Sequence, residues 1–307
     1  MKTIQKIYIS GLGAIGSAYA SRLYEAEPDA VAVIADPARS ERYRQTGVRV
    51  NGKPYPFRFV LPDAVAGPAD LILIAVKQHH LQQCIHDIRH FVGAETIILS
   101  LLNGITSEEI IGREYGMDKL LYSFVVGTDA VREGTSTRYS NMGKIVFGAE
   151  TNRESSPQVL AVQELFDRTG IPYQIPENML RELWWKFMMN VGINQTSAVL
   201  KAPYGVFQQV GEARELMEMA CREVIRLSEK AGIALNEDDI RSYIKIINTL
   251  SPQGKTSMLQ DVEAGRKTEV EIFSGTVMAL GRKYGVATPV NEVLWRMIRT
   301  LEQTYPV

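Results

Sequence analysis

The chain is expected to fold as an α/β domain, a doubly wound parallel sheet, followed by an all-helical C-terminal domain. Short β-type runs alternate with amphipathic segments through the first half, the pattern that yields parallel strands covered by crossover helices. The β-type runs stop after residues 171–176, and the remainder reads as helix. At 307 residues the chain also exceeds the size at which a single core usually keeps growing.

In chain order, strands are expected at 6–10, 30–35, 71–76 and 96–101. The run Leu71-Ile72-Leu73-Ile74-Ala75-Val76 lacks polar alternation, so it belongs at a sheet centre buried on both faces. Between 120 and 150 the texture changes to short, polar-interrupted strands with Gly127, Gly134, Gly143 and Gly148, which points to antiparallel strands added at the sheet edge. Helix breaks are expected near Pro203, Gly232, 251–254 and Gly285. The shift in composition divides the chain into a first domain of residues 1–176 and a second of residues 177–307. There is no internal repeat and no low-complexity tract.

Composition narrows the function. The net charge is −1 and no long run of Lys or Arg occurs, which argues against nucleic acid or an anionic membrane as the main partner and for a small molecule. The two cysteines, Cys84 and Cys221, are too few for a disulfide framework and read as buried thiols in a reducing compartment. Lys2 and Lys6 before an apolar stretch imitate a secretory leader, but Gly11, Gly13 and Gly16 interrupt it. No run reaches the ~18 apolar residues that a membrane helix needs. A cytoplasmic location is expected.

Gly11-Leu12-Gly13-Ala14-Ile15-Gly16 follows a predicted strand and opens a predicted helix. Gly11 permits the tight turn, Gly13 lets backbone approach a pyrophosphate, and Gly16 lets helix and strand pack closely. The helix N-terminus then offers unpaired N–H groups to phosphate. These are the requirements of a Rossmann-type dinucleotide site. Asp36, at the end of the second strand, suits the ribose hydroxyls of NAD, whereas Arg39, Arg42 and Arg44 suit the extra phosphate of NADP or form a solvated helix face. Lys77 and Asn103-Gly104 end the next two strands, at the edge where open α/β sheets bind ligands.

In the helical half, Lys186, Asn190 and Asn194 are spaced to share one face of a Trp- and Met-rich helix. A carbonyl reductase needs a donor where negative charge grows on oxygen; Lys186 fits as general acid and the amides as orienting groups. The alternative is a snorkelling lysine beside two solvated asparagines. Glu269, beginning a helix expected over 270–283, fits a carboxylate accepting from a substrate hydroxyl, or merely a favourable first-turn acid. His79, His80, His86 and His90 around Cys84 are read as a surface helix and not as a metal site.

These residues, with Ser257-Met258-Leu259-Gln260-Asp261 and Thr268-Glu269, resemble the ketopantoate reductase (2-dehydropantoate 2-reductase) family over nearly the whole chain. The resemblance implies a Rossmann domain with a helical C-terminal domain, and a cytoplasmic enzyme that reduces 2-dehydropantoate to (R)-pantoate with NADPH in pantothenate and coenzyme A synthesis. It implies Lys186 as general acid, Glu269 on the substrate hydroxyl, and Asn190, Asn194 and Ser257 holding the keto acid. Asn103 would lie between nicotinamide and substrate, and Lys77 on the cofactor. Two positions depart from the family pattern: Asp36 stands where a basic residue is common, leaving NAD open as the cofactor, and Thr106 replaces a second loop glycine. The expected mechanism closes a cleft between the domains over cofactor and keto acid, and apolar helical domains of this kind often pair into homodimers. Rival readings are a reductase or dehydrogenase of another 2-keto or 2-hydroxy acid, and a non-catalytic dinucleotide sensor.

Overall fold

The computed structural model describes residues 3–305, which divide into two compact units with the boundary between Met179 and Leu180. The first contains strands β1 (Ile7–Ser10), β2 (Val31–Ile34), β3 (Val48–Val50), β4 (Lys53–Tyr55), β5 (Arg58–Val60), β6 (Leu71–Ile74), β7 (Ile97–Ser100), β8 (Leu120–Val126), β9 (Val131–Glu133), β10 (Ser136–Arg138), β11 (Lys144–Gly148) and β12 (Tyr173–Gln174). Its helices are α1 (Ala14–Ala26), α2 (Pro37–Thr46), α3 (Leu81–Ile88), α4 (Ser107–Tyr115) and α5 (Pro157–Thr169).

Eight strands form one sheet in the order β12-β11-β8-β7-β6-β1-β2-β5. From β5 to β8 every neighbouring pair is parallel, and β11 then runs antiparallel to β8. Successive side chains point to opposite faces, and both faces are covered. Ile7, Ile9, Val31, Val33, Leu71, Leu73, Ile97 and Leu99 pack with Tyr19 and Leu23 of α1 and Val162 and Phe166 of α5. Tyr8, Ala32, Ile34, Ile72, Ile74 and Ile98 pack with Leu81, Ile85 and Ile88 of α3 and Ile111 of α4. This two-sided burial is why the central strands read as unbroken apolar runs.

The region 120–150 departs from expectation. Only β8 and β11 extend the main sheet, whereas β9 and β10 join β3 and β4 in a separate four-stranded sheet. Each of its strands is three residues long, so pairing between distant segments sustains it, not local pattern.

The second unit continues α6 (Met179–Met189) into a π-helical turn, Asn190–Asn194, and then α7 (Gln195–Leu200). α8 (Tyr204–Gln209), α9 (Gly211–Lys230), α10 (Glu237–Ile247) and α11 (Ser257–Glu263) follow. A second π turn, Glu271–Gly275, leads into α12 (Thr276–Tyr284), and α13 (Pro289–Gln303) is the last helix among the described residues. Among the described residues no helix is long and apolar enough to cross a membrane. Cys84 and Cys221 are both buried, and burial pushes each thiol up to about 12, so neither is a ready nucleophile.

Candidate active site

Strand register gathers the first unit's candidates. Ser10 pairs with Ile34 and Ile74, and Ile74 with Ser100, so β2, β1, β6 and β7 end level at their C-terminal edge. Gly11, Asp36, Lys77 and Asn103 leave that edge within three residues of it. The three glycines differ in what they require. Gly11 has φ +100°, and a Cβ there would lie 2.6 Å from the Ala75 carbonyl oxygen. A Cβ on Gly16 would lie 1.9 Å from the Gly11 oxygen. On Gly13 it would meet only the Ala75 oxygen, at 3.6 Å, an ordinary contact. Gly13 is therefore not required by packing, and it caps α1 with no side chain on the free N–H groups. An open, uncapped helix start beside a glycine turn fits a pyrophosphate.

The adjoining pocket is lined by Gly11, Leu12, Asp36, Arg39, Tyr43, His80 and Asp87 among others. Asp36 caps α2: its Oδ1 accepts from Arg39 N at 2.7 Å, and its Oδ2 lies 3.3 Å from Arg39 Nε. Arg42 lies over the Tyr43 ring and Arg44 pairs with Glu41 on the surface, so of the three arginines only Arg39 lines the pocket. His80 is pushed toward its neutral form, mainly by burial and also by Arg39. Two carboxylates against one guanidinium leave the pocket negative. Thr106 sits at φ −116°, a conformation open to any residue, while the positive φ of the loop, 93°, falls on Gly104. The threonine introduces no strain.

In the second unit, Asn190 is 5% exposed and Asn194 7%, which removes the reading of two solvated asparagines. Lys186 is half-buried, and burial lowers its ammonium from near 10.5 to about 8. The single-face spacing holds only in part. A π turn closes i→i+5, so Asn194 no longer sits directly above Asn190 as α-helical spacing predicts. Glu269 is 8% exposed and immediately precedes Val270 and the second π turn. The segment before it is pinned at both ends: Arg266 Nε lies 2.9 Å from Asp261 Oδ1, and Thr268 N donates to Glu302 Oε1 at 2.8 Å. Ser257, by contrast, is exposed at the first position of α11, whose cap is Thr256. Sequence reasoning missed Gln195, Ser274, Asn291 and Glu223, all buried and hydrogen-bonded together. The one available signal was polar Gln195-Thr196-Ser197 continuing an apolar helix.

Comparison with known proteins identifies the family. Residues 7–152 match the family described as Ketopantoate reductase PanE/ApbA, and residues 178–302 match Ketopantoate reductase PanE/ApbA C terminal. A 2-dehydropantoate 2-reductase of Aquifex aeolicus is 26% identical over 97% of both chains. Among solved structures, a D-mandelate dehydrogenase with NADH and anilino(oxo)acetate superposes with a TM-score of 0.87 at 23% identity, covering 98% of this chain and all of that one. A dimeric ketopantoate reductase from Staphylococcus aureus gives 0.82 at 18% identity, with 98% and 100% coverage. With both halves of the chain matched in order, this protein belongs to the ketopantoate reductase family and is an NAD(P)-dependent oxidoreductase of that type.

Proposed function

We propose that this enzyme reduces a small 2-keto acid, with 2-dehydropantoate the preferred substrate, as a step toward pantothenate. Lys186 carries the reading: a partly buried ammonium held at about 8 gives up a proton far more readily than a surface lysine while remaining mostly charged at neutral pH. The nicotinamide dinucleotide supplies the hydride when bound. Gly11, Leu12, Gly13, Ala14, Ile15 and Gly16 seat its pyrophosphate, and Lys77 and Asn103 contact it from the level strand ends. Lys186 donates a proton to the keto oxygen; Asn190, Asn194 and Ser257 hold the acid, and buried Glu269 accepts from the substrate hydroxyl.

For the cofactor, the family resemblance implies NADPH, but the charge of the pocket supports NADH. Asp36 and Asp87 outnumber Arg39, and a 2′-phosphate beside Asp36 would meet a repulsion of roughly 1–4 kcal/mol per pair of unit charges ~4 Å apart. The structural likeness to an NADH-bound D-mandelate dehydrogenase also makes other 2-keto acids a second reading. We place the enzyme in the cytoplasm as a homodimer, in line with the dimeric neighbour.

One panel tests all of this: initial rates with 2-dehydropantoate, the same acid lacking its hydroxyl, and the keto acid corresponding to mandelate, each with NADH and NADPH. Preference for 2-dehydropantoate with NADH supports the proposal. A better rate with the aromatic acid establishes the second reading, and dinucleotide binding with no turnover of any keto acid identifies a sensor.

A further inference from the structure

Both segments that carry the proposed catalytic side chains run into a π turn. Asn190–Asn194 follows the helix of Lys186, and Glu271–Gly275 begins two residues after Glu269. The two turns pack against each other. A π turn breaks the regular i→i+4 ladder and leaves backbone groups there open to side-chain partners. Gln195, fully buried, serves both turns at once. Its Nε2 donates to the Val191 carbonyl at 2.8 Å, inside the first turn. Its Oε1 accepts from Ser274 N at 3.1 Å and from the Ser274 hydroxyl, inside the second. There Gly275 N reaches back to Val270 O at 3.1 Å, the long bond of the wider turn.

The second Nε2 donor goes to Asn291 Oδ1 at 3.1 Å. Asn291 is held in turn by Glu223, through Nδ2 at 2.7 Å and its backbone N at 3.0 Å. All four hydrogen-bonding positions of the Gln195 amide are thus used. Its orientation is forced, because Ser274 N can only donate and Val191 O can only accept. A satisfied, fully buried network is rigid, and it links α7, α9, α13 and the second π turn.

We infer that Gln195 is a positioning residue that clamps the two π turns and sets where Lys186, Asn190 and Asn194 stand relative to Glu269. The inference rests on the roles proposed above for those residues. It touches neither cofactor nor keto acid. It acts by fixing the spacing of groups that do, and a misplacement of ~1 Å at such groups is enough for losses approaching ~10²-fold.

The test compares Gln195→Met, which keeps the volume and deletes all four bonds, with Ser274→Ala, which deletes only the hydroxyl arm. Gln195→Met is expected to raise KM for the keto acid about tenfold, to lower kcat by roughly 10- to 100-fold, and to erase the preference for a hydroxylated over an unhydroxylated keto acid. The dissociation constant for the dinucleotide, read by fluorescence titration without keto acid, should not change. Ser274→Ala should move the same quantities in the same direction by a few-fold, and decides the matter if Gln195→Met does not fold. A readout independent of turnover is the pH midpoint for acylation of Lys186, followed by mass spectrometry; a loosened clamp admits water and raises it. Folded variants with lower melting temperatures but unchanged kcat, KM, hydroxyl preference and midpoint would overturn the inference. If the unaltered enzyme reduces no keto acid, the functional reading fails, and the Lys186 midpoint still judges the clamp.

Discussion

Replacing Lys186 with Met should make the protein more stable and much less active at the same time. Burial lowers the lysine from near 10.5 to about 8, a displacement worth on the order of 3 kcal/mol, reduced to about 2–3 because the side chain keeps some exposure. The sign follows from proton linkage. Between about 8 and 10.5 the unfolded chain holds a proton that the native chain does not, so native stability climbs with pH across that window. Below about 8 the folded protein carries the full penalty of a buried charge. Methionine removes that penalty, so the variant should melt several degrees higher at pH 7, and the difference should shrink toward pH 10. Turnover should fall by about 10²–10⁴-fold with cofactor affinity nearly unchanged. In the unaltered enzyme kcat for reduction should decline as pH rises through about 8, where the acid is lost. Calorimetry from pH 6 to 10 and initial rates with saturating dinucleotide measure both arms. Turnover within threefold of the unaltered enzyme refutes the acid assignment, and a variant less stable at pH 7 refutes the buried-charge argument.

Three further outcomes are expected. Glu269→Ala should raise KM mainly for a hydroxylated keto acid; equal losses for substrates with and without the hydroxyl would remove the contact. Gly13→Ala should leave the melting temperature almost unchanged while weakening dinucleotide binding, whereas Gly16→Ala, with a Cβ 1.9 Å from the Gly11 oxygen, should disrupt the unit itself, and matched melting and binding curves separate the two. Glu108 is buried, and that burial pushes it up to about 7, opposed by bonds from Ser107 and Ser123; its native carboxyl keeps a proton that the unfolded chain loses, so it contributes stability below about 4.5 that is lost as pH rises to about 7. Glu108→Gln should flatten denaturation midpoints between pH 5 and 7, and an unchanged slope would show that the carboxyl does not titrate there.

Much of the sheet was legible because two-sided burial leaves a direct trace in composition. Ile7–Ser10, Val31–Ile34, Leu71–Ile74 and Ile97–Ser100 are buried along their whole length and apolar apart from Ser10 and Ser100. The smaller sheet was not legible. Its strands Val48–Val50 and Lys53–Tyr55 are short, one contains Pro54, and β3 finds its partner β10 far along the chain. The glycine turn could be read residue by residue, since backbone sterics act locally. The π turns could not, because no residue type encodes the extra member of a turn; Gln195 looks like any polar helix residue until Val191 and Ser274 are seen on either side of it. The same limit explains Asn194, whose α-helical spacing from Asn190 was sound arithmetic applied to a turn that is not α-helical.

Asp36 holds two posts, one in the lining of the pocket proposed for the nucleotide and one as the cap of α2. Any lineage that exchanges one coenzyme for the other must vacate the first without abandoning the second. Alanine or arginine would forfeit roughly 1 kcal/mol of helix-end stability along with the charge. Serine, threonine and asparagine keep the cap and discard the charge, so the accessible path between coenzymes is narrow. Directed evolution toward NADPH should pass through those three residues before any arginine appears at position 36.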